Sequence, residues 1–410
     1  MINTDNTTSP PVTFDDLPAI LIGGPPNAGK SVLTYNLTQE LRRLEIPHYV
    51  FRASTDLEGD WFLKGNRETV SEVQRKVQEY RHWTDEFRAL VCCALSHRYF
   101  PLLLDLGGRP DEKDICIFQA CKYSILLLKD ENKPTSDDWL RYTAANKLCP
   151  LVELRSQKEG RSCITAWEPT ITGTIAGLER EKPIRNNDAF HDVLERVIEL
   201  FQPYVAGLET FHLDLAPQQP PLHLLDQLHA LRSDASEWAP NMLQELLAQR
   251  PAPSVLAVYG RAPNWVYGAL ALHARTEPFY QFDALKGWIT PPVLRSEASA
   301  QPSRSLIGIK EKTYDDIYII SIHPIHNYLD YETEAQQLAI PEPPHSCGVI
   351  VDGKLPLWLF TALARFYAQR NVPWIALNDA HENRPVVVSS HVETHPIGRK
   401  LSELPKDVML

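Results

Sequence analysis

The chain has 410 residues, too many for one ordinary core, so two or three domains are expected. Its 43% hydrophobic and 23% charged residues are the balance of a globular protein. A formal net charge of −11 argues against long nucleic acid as the main ligand, which needs a basic face to displace counterions. A small anion in a local basic pocket stays open. No apolar run approaches the ~20 residues that span a bilayer, and Met1–Pro11 is polar without a basic-then-apolar leader. A cytoplasmic protein with no membrane partner is therefore expected. The seven cysteines (Cys92, Cys93, Cys116, Cys121, Cys149, Cys163, Cys347) form no CxxC pair and mostly fall in apolar segments, so reduced core thiols are expected.

Short apolar runs alternate with amphipathic stretches from Leu17 to about Val205, the pattern of an α/β domain with a parallel sheet. The expected strands are Ala19–Gly23, His48–Ala53, Phe100–Leu106, Tyr123–Leu128 and Pro150–Leu154. Between the first strand and a helical segment, Val32–Leu44, lies Gly24-Pro-Pro-Asn27-Ala28-Gly29-Lys30-Ser31, which fits G-x-x-x-x-G-K-[ST] in its proper context. Glycines let the backbone wrap phosphates, with N–H groups and the helix start aimed at negative charge. Lys30 is placed for the β/γ-phosphates and Ser31 for Mg²⁺. Both prolines remove N–H donors and stiffen the loop.

The second protein contact to that metal is expected from an acid closing a strand. Asp105 in Phe100-Pro-Leu-Leu-Leu-Asp105-Leu-Gly-Gly108 stands there, and the run resembles the D-x-G element of P-loop proteins that sense the terminal phosphate. A solvated strand-end acid is the alternative. Asp56 and Glu58 are weaker candidates, and Arg109 is a guess for an arginine finger. Ser71–Ser96 has helical spacing, and Asp188–Phe201 reads as a helix ended by Pro203.

A Pro/Gln stretch, Ala216–Pro221, and a Ser/Ala/Pro stretch, Ser296–Ser305, break the pattern. Around the second break the chain repeats itself. Gly260-Arg-Ala-Pro-Asn-Trp-Val-Tyr-Gly-Ala-Leu-Ala271 matches Gly353-Lys-Leu-Pro-Leu-Trp-Leu-Phe-Thr-Ala-Leu-Ala364. An apolar run precedes each glycine, and a Pro-aromatic run ending in an acid follows each helix: Pro278-Phe279…Asp283 and Pro373-Trp374…Asp379. Each copy therefore reads strand, glycine turn, helix, strand. Asp283 falls one residue closer to its proline than Asp379 does, a slip that in extended strands reverses the face. Asp283 is thus not expected to be equivalent to Asp379. Trp265 and Trp358, at identical repeat positions, read as core rather than as base-stacking platforms. His323-Pro-Ile-His326 has no further ligand at a fixed distance and is not read as a metal site.

From Ile307 to Val408 these elements, in order, resemble the small CRISPR-associated ring nucleases of type III systems, first described as a manganese-dependent RNA deadenylase. The resemblance rests on strand Asp316–Ile322, Gly348-Val-Ile-Val-Asp352-Gly353-Lys354-Leu-Pro356-Leu-Trp358, Val372-Pro-Trp-Ile-Ala-Leu-Asn-Asp379 and Val386-Val-Val-Ser-Ser-His391-Val-Glu393. Gly260-Arg261-Ala-Pro263-Asn-Trp265 is similar to the family's Gly-Arg-Gly-Pro-x-Trp, and members fused to an amino-terminal P-loop (AAA-like) domain are known. The resemblance implies an α/β protein of three parts: a P-loop NTPase domain with a mostly parallel sheet (1–206), a partly degenerate ring-nuclease-like domain (207–300) and a second such domain (301–410).

The resemblance further implies cleavage of cyclic tetra-adenylate to linear di-adenylates, with ATP and Mg²⁺ at the P-loop, Mn²⁺ for the nuclease, and a homo-oligomer. Asp379 matches the family acid, to orient a 2′-hydroxyl or help hold a metal; a turn-capping acid is the alternative. His391 matches the manganese-associated histidine, with Glu393 beside it. Arg261 and Lys354 would hold phosphate oxygens. His381 stands where the family has arginine and is a weaker clamp when neutral. Two other readings stay open: a nucleotide-gated sensor or sponge for cyclic oligoadenylate, and a P-loop kinase or ATPase that uses the duplicated module for recognition.

Overall fold

The computed structural model describes residues 17–53, 91–92, 95–107, 109–179, 184, 187–298, 305–325, 329–344 and 346–404. The chain divides into two compact units, Met1–His212 and Leu213–Leu410. The candidates Asp56 and Glu58, most of the expected Ser71–Ser96 helix, Cys93, Gly108 and His326 lie outside the described residues.

In the first unit the elements run β1 (Ala19–Gly23), α1 (Lys30–Arg43), β2 (Tyr49–Ala53), β3 (Leu102–Leu106), α2 (Ile115–Ala120), β4 (Tyr123–Leu128), α3 (Lys133–Ala145), β5 (Cys149–Gln157), β6 (Cys163–Ala166), β7 (Ile171–Ala176) and α4 (Asp188–Asp214). They build a seven-stranded sheet of order β2-β3-β1-β4-β5-β7-β6, parallel throughout except where β6 meets β7. The apolar runs that mark β1, β3 and β4 are buried on both faces, as central parallel strands must be. Ile20, Ile22, Leu103, Ile125 and Leu127 meet Leu33, Leu37 and Leu41 of α1 and Val193, Val197 and Phe201 of α4 in one core. Strand order reverses on either side of β1, so the loop after β1 opens at the crevice where open α/β sheets bind ligands.

Two expectations change here. Helix α4 does not stop at Pro203 but carries it inside and continues to Asp214. A mid-helix proline costs about 3 kcal/mol. Burial of Phe201 and Leu208, at roughly 1.5–3 kcal/mol for each large apolar side chain, offsets it. Nor are all the thiols reduced and buried: Cys92 and Cys116 form a disulfide with Cα atoms 6.1 Å apart, and Cys149 and Cys163 are exposed. A pair 24 residues apart carries no sequence signature, whereas the packed Cα distance lies within disulfide range.

The second unit contains β8 (Leu222–His223), α5 (Leu224–Leu231), α6 (Met242–Ala248), β9 (Leu256–Tyr259), α7 (Asn264–His273), β10 (Phe279–Asp283), β11 (Gly287–Ile289), β12 (Arg295–Ser296), β13 (Ile307–Tyr314), β14 (Ile317–Pro324), β15 (Ala339–Ile340), β16 (Gly348–Gly353), α8 (Leu357–Ala368), β17 (Trp374–Asp379) and β18 (Arg384–Ser390). One sheet has the order β11-β10-β9-β8 and another β13-β14-β16-β17-β18. Strands β8, β9, β10 and β11 pair as β14, β16, β17 and β18 do: parallel, parallel, then antiparallel. The two repeated segments also share backbone detail. Gly260 and Gly353 have φ of 106° and 139°, and Pro263 and Pro356 cap the following helices in the same extended conformation. The boundary drawn at residue 300 divides these sheets, but the apolar core runs through both halves.

That shared core follows from how the helices lie. Helix α7 packs on β17 and β18 of the other half, against α8, and α8 reaches β10 in return. Gly268 permits the approach, since a Cβ there would sit 2.4 Å from Leu377 Cδ1. Both helices are apolar nearly all round, as buried helices are. Thr361 of α8 donates to Gln281 Oε1 of β10 at 2.7 Å, pairing two buried polar groups across the halves. The turn after β16 depends on Gly353, where a Cβ would lie 1.9 Å from the Ile322 carbonyl oxygen at a φ that side chains rarely adopt. Gly353→Ala should destabilise the chain by about 2–4 kcal/mol, read as a lowered denaturant midpoint.

Candidate functional site

The loop Gly24–Lys30 leaves the end of β1 with Gly24, Asn27 and Gly29 at positive φ, which turns the chain into α1. Ala28 is buried beneath it, and Asn27 is exposed at its tip. Lys30 is buried and donates to Gly24 O at 2.7 Å and Pro25 O at 2.9 Å. Asp105 lies on β3 in register with Ile22 of β1, and Ser31 Oγ donates to its Oδ2 at 2.8 Å. The residues the sequence assigned to phosphate and Mg²⁺ are therefore brought together. An acidic oxygen pair and a hydroxyl opposite a cationic amine suit a hard divalent ion bridging to phosphate. Such an ion would neutralise phosphate charge and be held by Ser31 and Asp105. Arg109 is drawn aside: its guanidinium pairs with Asp138, 2.7 Å from Nε, and Asp138 also takes Arg141.

Burial lowers the Lys30 ammonium to about 8, with Asp105 pulling the other way. A bound phosphate would raise it again. Nucleotide affinity should therefore be flat below pH 8 and fall above it, by at most roughly tenfold per pH unit, until the pKa of the bound state is passed. Isothermal titration between pH 7 and 9.5 measures this slope, and Lys30→Met should abolish it along with most of the affinity.

In the second unit, β14, β16 and β17 end together, and their ends gather polar side chains. Asp352, 9% exposed, accepts from Ser321 Oγ at 2.8 Å and from Asn378 Nδ2 at 2.7 Å. Asn378 Oδ1 is buried without a partner among the described residues. The next residue, Asp379, points to the opposite face of the sheet and meets the other half: Trp265 Nε1 donates to its Oδ2 at 2.9 Å, and Asn264 Nδ2 donates to Asn378 O at 2.9 Å. Asp379 Oδ1 takes the His381 backbone N–H at 2.9 Å. The turn-capping alternative for Asp379 thus describes part of what it does. Lys354 and His381 are exposed on the turns that follow β16 and β17. Trp265 and Trp358 are buried, as core residues are.

The expected constellation is not assembled whole. His391 follows β18, and its backbone N–H bonds Pro373 O, at the start of β17. Asp379 closes the same strand, six residues on from Pro373 and roughly 20 Å away along it. His391 and Glu393 are exposed on that far turn, close to where His395 stacks on Trp374. Among the described residues no group of three or more His, Cys, Asp or Glu gathers as a metal site. Among the described residues no third ligand joins His391 and Glu393, so these two do not by themselves fit a manganese centre.

Asp283 corrects a second expectation. Val258 pairs Gln281 where Val351 pairs Leu377, and two residues on Asp283 and Asp379 end their strands at equivalent places. The one-residue difference is taken up before the strand begins. Asp283 Oδ1 likewise caps its turn, accepting from Leu285 N at 2.8 Å and Lys286 N at 3.1 Å. Burial raises its carboxyl, while those amides and Lys286 pull it back. Lys286 is committed to Asp330 and Glu332. Trp358 makes an edge contact with Tyr331 in place of the strand-end bond that Trp265 makes. Arg261, on the turn after Gly260, is exposed.

Sequence reasoning missed Ser321, Asp352, Asn378 and Asn264. Asp352 and Asn378 each stand one residue before a motif position, a signal that strand pairing alone turns into a contact.

Asp352, Asn378 and Asp379 lie within a segment that matches a known family, whereas Ser321, Asn264 and Trp265 lie outside it. Residues 322–402, well under half of the chain, match the family model described as CRISPR-associated protein. That model is Cas_csx3, and the match supports a CRISPR-associated function. No curated protein matches the chain. Among the described residues no helix is long and apolar enough to cross a membrane.

Proposed function

We propose that the protein is a ring nuclease that cuts cyclic tetra-adenylate into linear di-adenylates, with ATP–Mg²⁺ at the Gly24–Ser31 loop modulating assembly or turnover. The observation that carries the reading is the Cas_csx3 match over the segment that holds Lys354, Asp379 and His391. On this reading the second unit is a tandem pair of ring-nuclease-like domains, the first of them degenerate, behind a P-loop NTPase domain.

A cyclic ribo-oligonucleotide brings its own nucleophile. The 2′-oxygen bonds to the adjacent phosphorus, the P–O5′ bond breaks, the 2′-proton leaves to a base, and the 5′-oxygen gains a proton. Two such cuts turn a ring of four into two dinucleotides. The protein has to hold the phosphodiester in line and stabilise charge on the phosphorane. On this reading Lys354 holds phosphate oxygens and Asp379 orients the 2′-hydroxyl, from neighbouring strand ends. His391 cannot reach the same phosphate within one chain, so a role for it requires a homo-oligomer in which one copy's far turn meets another copy's strand ends.

A sensor that binds without cutting is favoured by one observation: both Asp379 oxygens already accept hydrogen bonds. One assay separates the readings. Cyclic tetra-adenylate is incubated with the full chain, with and without ATP and Mn²⁺, and the products are resolved. Linear di-adenylate should appear and fall by roughly 100-fold or more in Asp379→Ala and Lys354→Ala. Mixing Asp379→Ala with His391→Ala should restore part of the activity. Tight binding without product would establish the sensor instead, and neither binding nor product would end the proposal.

A further inference from the structure

The two halves of the second unit place different chemistry at the same four strand-end positions. In the carboxy-terminal half, Ser321 pairs Asp352, and Asn378 pairs Pro385. In the amino-terminal half the same register pairs His223 with Tyr259 and Phe282 with Trp288. Those four rings pack together: His223 stacks on Tyr259 with centroids 5.5 Å apart, Tyr259 meets Phe282 edge-on at 5.1 Å, and Phe282 meets Trp288 at 5.5 Å. An aromatic cluster thus closes one strand end where a carboxylate–amide–hydroxyl network closes the other.

We infer that Asp352 is a positioning residue for the reaction proposed above, clamping the two strand ends that present Lys354 and Asp379. Asp352 immediately precedes Gly353-Lys354, and Asn378 immediately precedes Asp379. Their bond at 2.7 Å ties the penultimate residue of one strand to that of its neighbour, one step past the last backbone pair, Val351 with Leu377. Ser321 on the third strand braces the same carboxylate. The clamp lies on the sheet face opposite Asp379, among buried residues, and therefore acts without touching a ligand on the Asp379 side. Cohesion of this end by apolar packing was available to the fold, since the other half uses it. The carboxylate–amide bond adds a directional link between the two strand ends, beside the turns that carry Lys354 and Asp379. At the amino-terminal strand end Phe282 stands at the position of Asn378, so the same side-chain bond cannot form there.

This inference rests on the ring-nuclease reading, and its test separates the two. Single-turnover cleavage of cyclic tetra-adenylate, equilibrium binding of the ring and amide hydrogen exchange are measured on the full chain. The variants are Asp352→Ala, Ser321→Ala and the exchanged pair Asp352→Asn/Asn378→Asp, which keeps an amide–carboxylate bond between the same positions. Asp352→Ala should cut the cleavage rate constant by about tenfold or more, the scale of a lost buried hydrogen bond, with affinity within roughly twofold. Exchange should quicken at residues 353–356 and 379–382 and not at 260–263 or 283–286. Ser321→Ala should show the same pattern more weakly, and the exchanged pair should recover both rate and protection. Unchanged rate and exchange in Asp352→Ala, faster exchange throughout the unit, or no recovery in the exchanged pair would overturn the clamp. If the wild-type chain does not cleave the ring, the ring-nuclease reading falls. The exchange pattern alone then decides the clamp: local and reversed by the exchanged pair, it stands; otherwise it is overturned.

Discussion

The second unit depends on one constraint: neither half can bury its helix alone. Helix α7 is apolar on nearly every side, so the sheet beside it in sequence cannot cover it, and it lies instead across β17 and β18 with Gly268 seated on Leu377. The consequence reaches the strand ends. Once α7 crosses to the other half, its first turn delivers Asn264 and Trp265 to Asn378 and Asp379. A carboxylate in one half is thus oriented by an indole from the other, and packing and site geometry are one problem.

The halves solve that problem unequally. The carboxy-terminal half keeps a polar clamp behind Asp379 and leaves Lys354 and His381 exposed in front of it. The amino-terminal half fills the corresponding space with rings and turns Asp283 inward onto its own amides. The two halves share the scaffold, glycine turn and proline cap included, while their strand-end chemistry differs. In the first unit the same physics appears in simpler form, with Ser31 and Asp105 meeting at a sheet crevice over a buried lysine. Their mutual hydrogen bond and the contacts of Lys30 to loop carbonyls satisfy groups that phosphate would otherwise engage.

Much of this was legible in the residues. Apolar runs marked β1, β3 and β4 because central parallel strands are buried on both faces, and the repeated Gly-basic-x-Pro-x-Trp string located both glycine turns. The Gly24–Ser31 turn into α1 and the approach of Asp105 to Ser31 were readable because their spacing follows from backbone geometry. What failed did so for identifiable reasons. Counting from Pro278 and Pro373 misjudged Asp283, because strands begin where pairing begins and not at a fixed step from a proline. Pro203 did not end α4, because tertiary burial outweighed a local penalty. His391 joined Asp379 in a linear motif, yet the two sit at opposite ends of a hairpin. Asp352 was passed over because its partners lie on two other strands.

If the second unit cuts the ring as proposed, the ligand sits at its carboxy-terminal strand ends. A crystal structure of the full chain with a 2′-deoxy cyclic tetra-adenylate, which lacks the attacking hydroxyl, would show it. A phosphate is expected beside Lys354, with its ribose facing Asp379. A ring bound beside Tyr259 and Asp283, or only at the Gly24–Ser31 loop, would contradict it.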